Sequence, residues 1–414
     1  MNPLDLAYVV GGLVTAPVWA RKKRGGWGER FGRIDHMLAR PATGRPRIVL
    51  HAVSVGEAAA LRCLVPLLTE GGAEVIVSVT TDTGLSRARA LYSDSCDVVR
   101  TPLDFSWAVR RFLNGTRPDA LGLVELEVWP NLVRACRSRG VPVGVINGRL
   151  SERSFKGYRR GRALIGPSFG RLDFAAVQDE TYAERFRAMG VDPERVTVTG
   201  SMKWDAVGVA EGSPRTVEAV GLSRTLGLDL DRPIVVAGST APGEEALLHA
   251  AVATDVQLVC APRKPEWFDQ AAAAMPGCVR RSEVGQAGVR PGATRFVLDS
   301  IGELSTLYRV ADVVVIGRSF GGLYGSDPME PAGLGLPVVI GPEHADFAAG
   351  VAQLRDAGGL VVADRESLGG VLARLLGDAE ARGAMGAKAR ACVLGQQGAS
   401  RRNAGLLLGV AGVE

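Results

Sequence analysis

A glutamate at the end of a hydrophobic run is the first candidate for chemistry. Glu57 closes the segment His51-Ala-Val-Ser-Val-Gly-Glu57. The apolar stretch Ile48 to Val53 reads as a strand, a small-residue turn comes next, and Ala58 to Leu68 reads as a helix. A carboxylate at that junction stands beyond the carboxyl end of a parallel strand, where open α/β sheets bind ligands. There it could take a proton from a substrate hydroxyl. The same residues, Ser54-x-x-Glu57, also spell a capping box, in which the glutamate only satisfies free N–H groups of the helix. Glu125 and Glu127 flank Leu126 at the end of another apolar run. At the two-residue period of a strand they share a face if the strand continues that far. Two carboxylates on one face bind hydroxyls or basic groups, or one is protonated. A salt-bridged loop is the plain alternative.

Basic and glycine-rich stretches come after the later runs. Arg149, Arg153 and Lys156 come after a run ending at Asn147, and Lys203 after one ending at Thr199. Arginine grips anions with two parallel hydrogen bonds, although a solvated basic loop has the same pattern. Gly238-Ser239-Thr240 ends a run, and Glu244 and Glu245 enter a helix. The N–H groups of that helix start are an anion site, unless Ser239 or Thr240 simply caps it. Arg263 lies just after the run ending at Ala261. The segment from Gly317 through Ser319 and Asp327 to Glu330 is rich in glycine and leads into a helix. Glycines let a backbone approach a phosphate closely.

The elements that must position these residues alternate along the chain. Strand-like runs fall at 48–53, 74–80, 97–100, 120–125, 141–147, 174–178 and 196–199, separated by helical patterns such as 58–68, 105–114 and 180–189. A polar segment at 206–232 interrupts the series. It restarts at 234–238 and continues at 256–261, 294–298, 312–317, 337–341 and 359–362, with helices near 365–376 and 379–392. Strands alternating with helices imply parallel βαβ units. The expectation is two doubly wound α/β domains, 25–205 and 233–414, joined by a linker at 206–232. The last helix is a candidate to pack back on the first domain. Ligands would sit in an interdomain cleft beyond the strand ends. Sugar transferases of the GT-B type typically have this architecture.

Residues 1–24 differ in kind. Positions 4 to 20 are apolar apart from Asp5 and small polar residues, and Arg21, Lys22, Lys23 and Arg24 come immediately after. The stretch is marginal for a bilayer span, which needs about 20 apolar residues. A signal peptide would carry its positive charge before the apolar run rather than after it. The basic cluster puts the chain from Arg21 onward on the cytoplasmic side. A short anchor and an apolar helix lying in the membrane interface both fit, as does a buried helix with a solvated basic end.

Composition narrows the class. Hydrophobic residues make up 46% and charged residues 22% of the 414, which suits a folded two-domain protein. A net charge of +5 is too mild to signal a nucleic-acid binder. Six scattered cysteines with no CxxC pair fit reduced thiols. With four histidines and no HExxH arrangement, no metal site is expected.

Eight motifs in order carry a family resemblance. They are Trp27-Gly-Glu-Arg-Phe31, His51-Ala-Val-Ser-Val-Gly-Glu57, Glu125-Leu-Glu-Val-Trp-Pro-Asn131, Asn147-Gly-Arg-Leu-Ser-Glu-Arg-Ser154, Val198-Thr-Gly-Ser-Met-Lys-Trp-Asp205, Gly238-Ser-Thr-Ala-Pro-Gly-Glu-Glu245, Pro262-Arg-Lys-Pro-Glu266 and Asp327-Pro-Met-Glu-Pro-Ala332. Together they resemble the bacterial 3-deoxy-D-manno-octulosonic acid (Kdo) transferases, from about Leu4 to the carboxyl end. The resemblance implies an inverting transfer of Kdo from CMP-Kdo to a lipid A precursor, without a cofactor, at the cytoplasmic face of the bacterial inner membrane. It implies Glu57 as catalytic base. Glu125, Glu127, Arg149, Arg153 and Lys156 would face the acceptor and its phosphates. Lys203, Ser239, Thr240, Arg263, Gly317, Ser319, Asp327 and Glu330 would face the donor. Many members carry His-Asn where this chain has Ser326-Asp327, which puts donor contacts at that loop in question. A GT-B enzyme using a UDP-sugar and a non-catalytic lipid-binding homologue are the competing readings.

Overall fold

Strands covered on both faces by helices must be apolar throughout, and the central strands here are. The computed structural model describes residues 4–6, 8–9, 25–34, 44–209, 214–284 and 292–413. These divide into two units, Met1–Ala206 with Gln396–Glu414, and Val207–Gly395.

The first unit holds β1 (Arg47–Ala52), β2 (Glu74–Val79), β3 (Asp97–Arg100), β4 (Ala120–Val124), β5 (Val143–Gly148), β6 (Phe174–Val177) and β7 (Val196–Val198). They form one parallel sheet in the order β3-β2-β1-β4-β5-β6-β7. Every residue of β1, β4 and β5 is buried, whereas the edge strand β7 is exposed at two of three positions. Arg47 begins β1 with its side chain wholly buried. It is matched by the Glu74 carboxylate at 2.6 Å and the Thr116 carbonyl at 2.7 Å. Helix Ser106–Thr116 buries Val109, Phe112 and Leu113, one stripe at helical spacing, in the core beside β4 and β5. Chain order reverses between β1 and β4, so a crevice opens at their carboxyl ends.

The second unit repeats the plan. It contains β8 (Ile234–Thr240), β9 (Gln257–Pro262), β10 (Val279–Arg280), β11 (Arg295–Val297), β12 (Val313–Ile316), β13 (Val338–Ile340) and β14 (Leu360–Val362). The parallel order is β10-β11-β9-β8-β12-β13-β14, and the reversal lies between β8 and β12.

Two features differ from the sequence expectation, and a third concerns the last helix. The polar stretch 206–232 carries a helix, Val217–Leu226, which buries Ala219, Leu222 and Leu226 in the second unit, so it is more than a linker. Helix 58–68 is broken into Val55–Ala60 and Leu64–Glu70. A last helix, Ala399–Val410, belongs to the first unit, where Ala399, Ala404 and Leu407 join Leu50, Leu61 and Leu64 in the core. Asp205 accepts hydrogen bonds from the N–H groups of Gly398 and Ser400 at that helix start, both at 2.5 Å. Most of the apolar amino-terminal stretch, with Arg21–Arg24, lies outside the described residues. Among those described, no helix is long and apolar enough to cross a membrane.

Candidate active site

Glu57 stands in the first turn of helix Val55–Ala60, just past β1. The capping box is formed. The Glu57 N–H donates to Ser54 Oγ at 3.2 Å, and Ser54 Oγ donates to Glu57 Oε1 at 2.8 Å. The Val53 N–H donates to Oε2 at 2.8 Å. Capping and base catalysis are compatible here. Each carboxylate oxygen has two lone pairs and spends one on these bonds. The half-buried side chain keeps room for a substrate hydroxyl, and the bonds hold it in one rotamer.

Glu125 and Glu127 do not share a strand face. β4 ends at Val124, and Glu125 turns into the left-handed region with φ +58°. Such a conformation costs a non-glycine residue about 1 to 3 kcal/mol and recurs at functional sites. Main-chain bonds to the neighbouring strand hold it: Glu125 N–H to the Ile146 carbonyl at 3.0 Å, and Arg149 N–H to the Glu125 carbonyl at 3.3 Å. A tight turn comes next, with Trp129 N–H on the Glu127 carbonyl at 2.9 Å. Pro130 then opens helix Pro130–Arg137, as its fixed φ favours. The Trp129 indole donates to Glu127 Oε2 at 2.7 Å.

The acids meet electrostatically. Burial raises the Glu125 carboxyl above the ordinary range; Lys203 opposes that shift, Glu57 adds to it and Arg149 opposes it. Burial, then the Glu57 charge, pushes Glu127 up to about 7, and the Trp129 bond opposes this. Glu127 is therefore half protonated near neutral pH. The Tyr158 hydroxyl is also raised, by burial and by the Glu127 charge. Sequence reasoning missed this tyrosine, which lies in the helix beyond the basic loop and has no motif of its own. Lys203 and Arg149 stand beside Glu125, in the first unit. Arg153 and Lys156 are not drawn into the cluster. They are exposed on helix Glu152–Arg160 and line a shallow hollow with Glu152, Gly157 and Arg160, and Lys156 is paired with Glu152 at 2.6 Å.

In the second unit the strand ends at the β8/β12 reversal touch. A Cβ on Gly317 would lie 2.6 Å from the Ser239 carbonyl oxygen and from Thr240 Cα, so only glycine fits. The N–H groups of the loop that begins at Gly317 are already occupied, by the protein itself. Glu244, only 2% exposed, accepts the N–H groups of Ala241 (2.9 Å), Arg318 (2.7 Å), Ser319 (2.8 Å) and Phe320 (2.9 Å). A buried carboxylate requires such partners, but three of the residues that supply them lie more than 70 positions away, so the sequence carries no sign of it. Thr240 and Ser319 are corrected accordingly. Both are fully buried, with their hydroxyl protons on Glu245 Oε1 (2.7 Å) and the Ile316 carbonyl (2.6 Å). They hold the loop rather than present a donor to a phosphate.

What remains open to a ligand is Ser239, half-buried at φ +58°, with exposed Arg263 and Glu330. Arg263 is placed by its own N–H on the Thr240 carbonyl at 3.0 Å. Asp327 is exposed and accepts the Met329 N–H at 2.8 Å, just before the short helix Met329–Gly333. Neighbouring Ser326 is buried, and its Oγ finds no partner among the described residues.

Comparison with known proteins bears on both units. The sequence profile described as 3-deoxy-D-manno-octulosonic-acid transferase (kdotransferase) matches residues 25–206. A 3-deoxy-D-manno-octulosonic acid transferase of Bordetella pertussis is 31% identical over 420 residues, covering 94% of each chain. One from Haemophilus influenzae is 29% identical, covering 98% of this chain and 95% of its own. Among solved structures, a glycosyltransferase from Rickettsia africae aligns at TM-score 0.59 and 10% identity, over 90% of this chain and all of the other. At that identity the likeness concerns the fold alone: two parallel-sheet α/β units of the GT-B kind.

Proposed function

We propose, for a chain that belongs to the 3-deoxy-D-manno-octulosonic acid transferase family, that it transfers Kdo from CMP-Kdo to a lipid A precursor with inversion. The observation that carries the reading is the meeting of Glu57, Glu125 and Glu127 at the β1/β4 reversal, in a chain related to such transferases along 94% of its length. In the reaction the acceptor hydroxyl oxygen attacks the anomeric carbon of Kdo. The bond from that carbon to the CMP phosphate oxygen breaks, CMP leaves with the electron pair, and Glu57 takes the hydroxyl proton. Ser54 and the Val53 N–H aim the Glu57 carboxylate. Lys203 and Arg149 offset the acidic charge beside Glu125 and are suited to the acceptor's anionic groups. Arg263 and Glu330 are suited to the phosphate and ribose hydroxyls of CMP, and the Glu244-anchored loop supports the backbone beside them.

The reading extends to the cytoplasmic face of the bacterial inner membrane. Trp27 (50% exposed) and Trp107 (42% exposed) line up through Phe31, with Arg111 5.7 Å above the Trp107 ring. Indoles with arginines suit a headgroup region. Co-flotation with anionic but not neutral vesicles is expected; equal recovery with neither would remove the membrane from the proposal. The activity itself is tested by incubating the full chain with CMP-Kdo generated in situ and a tetraacylated lipid A precursor, then weighing the lipid by mass spectrometry. A mass increment of one or more Kdo residues is expected. An unchanged lipid from folded protein, with turnover of a UDP-sugar instead, would favour the competing GT-B chemistry.

A further inference from the structure

We propose that the amino-terminal segment latches the acidic loop Glu125–Trp129, with Asp5 and Tyr8 as positioning residues for the acceptor. This rests on the reading that Glu57, Glu125 and Glu127 face the acceptor. The loop runs directly into helix Pro130–Arg137, whose cap position is Trp129 and which has no side-chain cap of its own. Its free N–H groups are met from elsewhere. Asn131 N–H donates to Asp104 Oδ2 at 2.9 Å, and Leu132 N–H to Asp104 Oδ1 at 2.8 Å. Helix Ser106–Thr116 likewise has phenylalanine at its cap and no local cap bond. Its first N–H, on Ser106, donates to Asp5 Oδ1 at 2.8 Å, and Ser106 Oγ donates to Asp5 Oδ2 at 2.5 Å. Asn131 Nδ2 ties the two together, donating to Asp5 Oδ1 (3.2 Å) and to the Asp104 carbonyl (2.5 Å). The Tyr8 hydroxyl donates to Asp104 Oδ2 at 2.9 Å, and its ring meets Phe105 edge to face at 6.0 Å.

Asp5 is completely buried and Asn131 is 2% exposed, so these bonds form out of water. A serine or aspartate at each cap position would have satisfied the same N–H groups locally. Instead helix Pro130–Arg137 is capped by Asp104, 27 and 28 positions back, and helix Ser106–Thr116 by Asp5, 101 positions back in the segment that precedes β1, while the Asn131 side chain reaches that same aspartate across 126 positions. The loop's downstream end is therefore held by Asp104 and braced by the docked segment, through Asp5 on Asn131 and Tyr8 on Asp104. Trp129, whose indole holds the Glu127 carboxylate, lies two residues before Asn131. The path Asp5–Asn131–Trp129–Glu127 links the amino-terminal segment to the site.

The test is steady-state transfer by the full chain, with acceptor and donor varied separately, for Asp5→Ala, Asp5→Asn, Tyr8→Phe and Glu127→Gln. Asparagine keeps an acceptor for Ser106 N–H and Asn131 Nδ2 and can donate to Ser106 Oγ. Asp5→Ala is expected to raise the acceptor KM about tenfold with donor KM within about twofold, while Asp5→Asn recovers to within about threefold of wild type. Tyr8→Phe, which removes one hydroxyl and spares the fold, is expected to raise acceptor KM about threefold. It carries the test alone if Asp5→Ala fails to fold. Unchanged acceptor KM in the folded variants, or equal rises in both KM values, overturns the latch. If Glu127→Gln itself leaves acceptor KM and kcat unchanged, the acceptor-site reading beneath it has failed.

Discussion

Replacing Glu127 by glutamine should make the protein more stable at high pH. Three acids crowd the β1/β4 crevice, and Glu127 bears the clearest mark of it. Burial, with the Glu57 and Glu125 charges, moves its carboxyl from the ordinary 4.5 to about 7. A carboxyl raised in the folded state stabilises the fold below its unfolded value. That contribution is lost as pH rises from about 4.5 through about 7, because the native state must then ionise a group it holds protonated. At about 1.36 kcal/mol for each pH unit, the gap comes to about 3 kcal/mol above pH 7, or about 1 to 2 kcal/mol once solvent near the half-buried side chain is allowed for. Glutamine removes the charge and keeps an oxygen for the Trp129 indole. Glu127→Gln should therefore melt higher than wild type at pH 8, by about 2 to 4 °C for each kcal/mol. The gain should shrink steadily towards pH 5. Thermal unfolding by circular dichroism at pH 5, 6, 7 and 8 reads it directly. A gain that is flat with pH, or a variant less stable than wild type at pH 8, would mean that Glu127 is solvated or paired and that the acids do not crowd one another.

The remaining predictions concern the base, the loop anchor and metal dependence. Glu57→Ala and Glu57→Gln should both lose turnover by more than about a hundredfold, and only the alanine should lose the cap, at about 1 kcal/mol; transfer within about tenfold of wild type would leave Glu57 a cap and nothing more. Glu244→Ala strands four N–H groups, three of them buried, and should cost at least about 3 kcal/mol in urea unfolding, together with CMP affinity in calorimetry; a loss under about 1 kcal/mol would contradict the anchoring role. Among the described residues no three His, Cys, Asp or Glu side chains are grouped to hold a metal ion, and transfer is expected to persist in EDTA. Abolition by EDTA with rescue by magnesium would require a metal in the chemistry.

Much of the fold was legible in the sequence because its central strands are buried on both faces, which writes them as continuous apolar runs. Two-residue β10 carries too short a run to be seen, and helix Val217–Leu226 is hidden by its polar exposed face. The capping box at Glu57 was legible because all its atoms lie within four residues. Pairing Glu125 with Glu127 by strand period failed, since the left-handed turn at Glu125 ends the period before it reaches Glu127. Glu244 and Asp5 were invisible as anchors for one reason. Their partners lie 74 to 76 and 101 to 126 positions away, and only the folded chain brings them together.

The return of helix Ala399–Val410 to the first unit has a consequence for synthesis. Leu407 presses on Leu50 and Gly122 in the centre of the first sheet, and Asp205 awaits the N–H groups of Gly398 and Ser400. A ribosome delivers β1 to β7 long before it delivers that helix, and domains otherwise fold in the order in which they emerge. The second unit, contiguous from Val207 to Gly395, can close first. The first-made half of the chain is thus finished after the second unit, and until helix Ala399–Val410 arrives it exposes an apolar groove where that helix will lie.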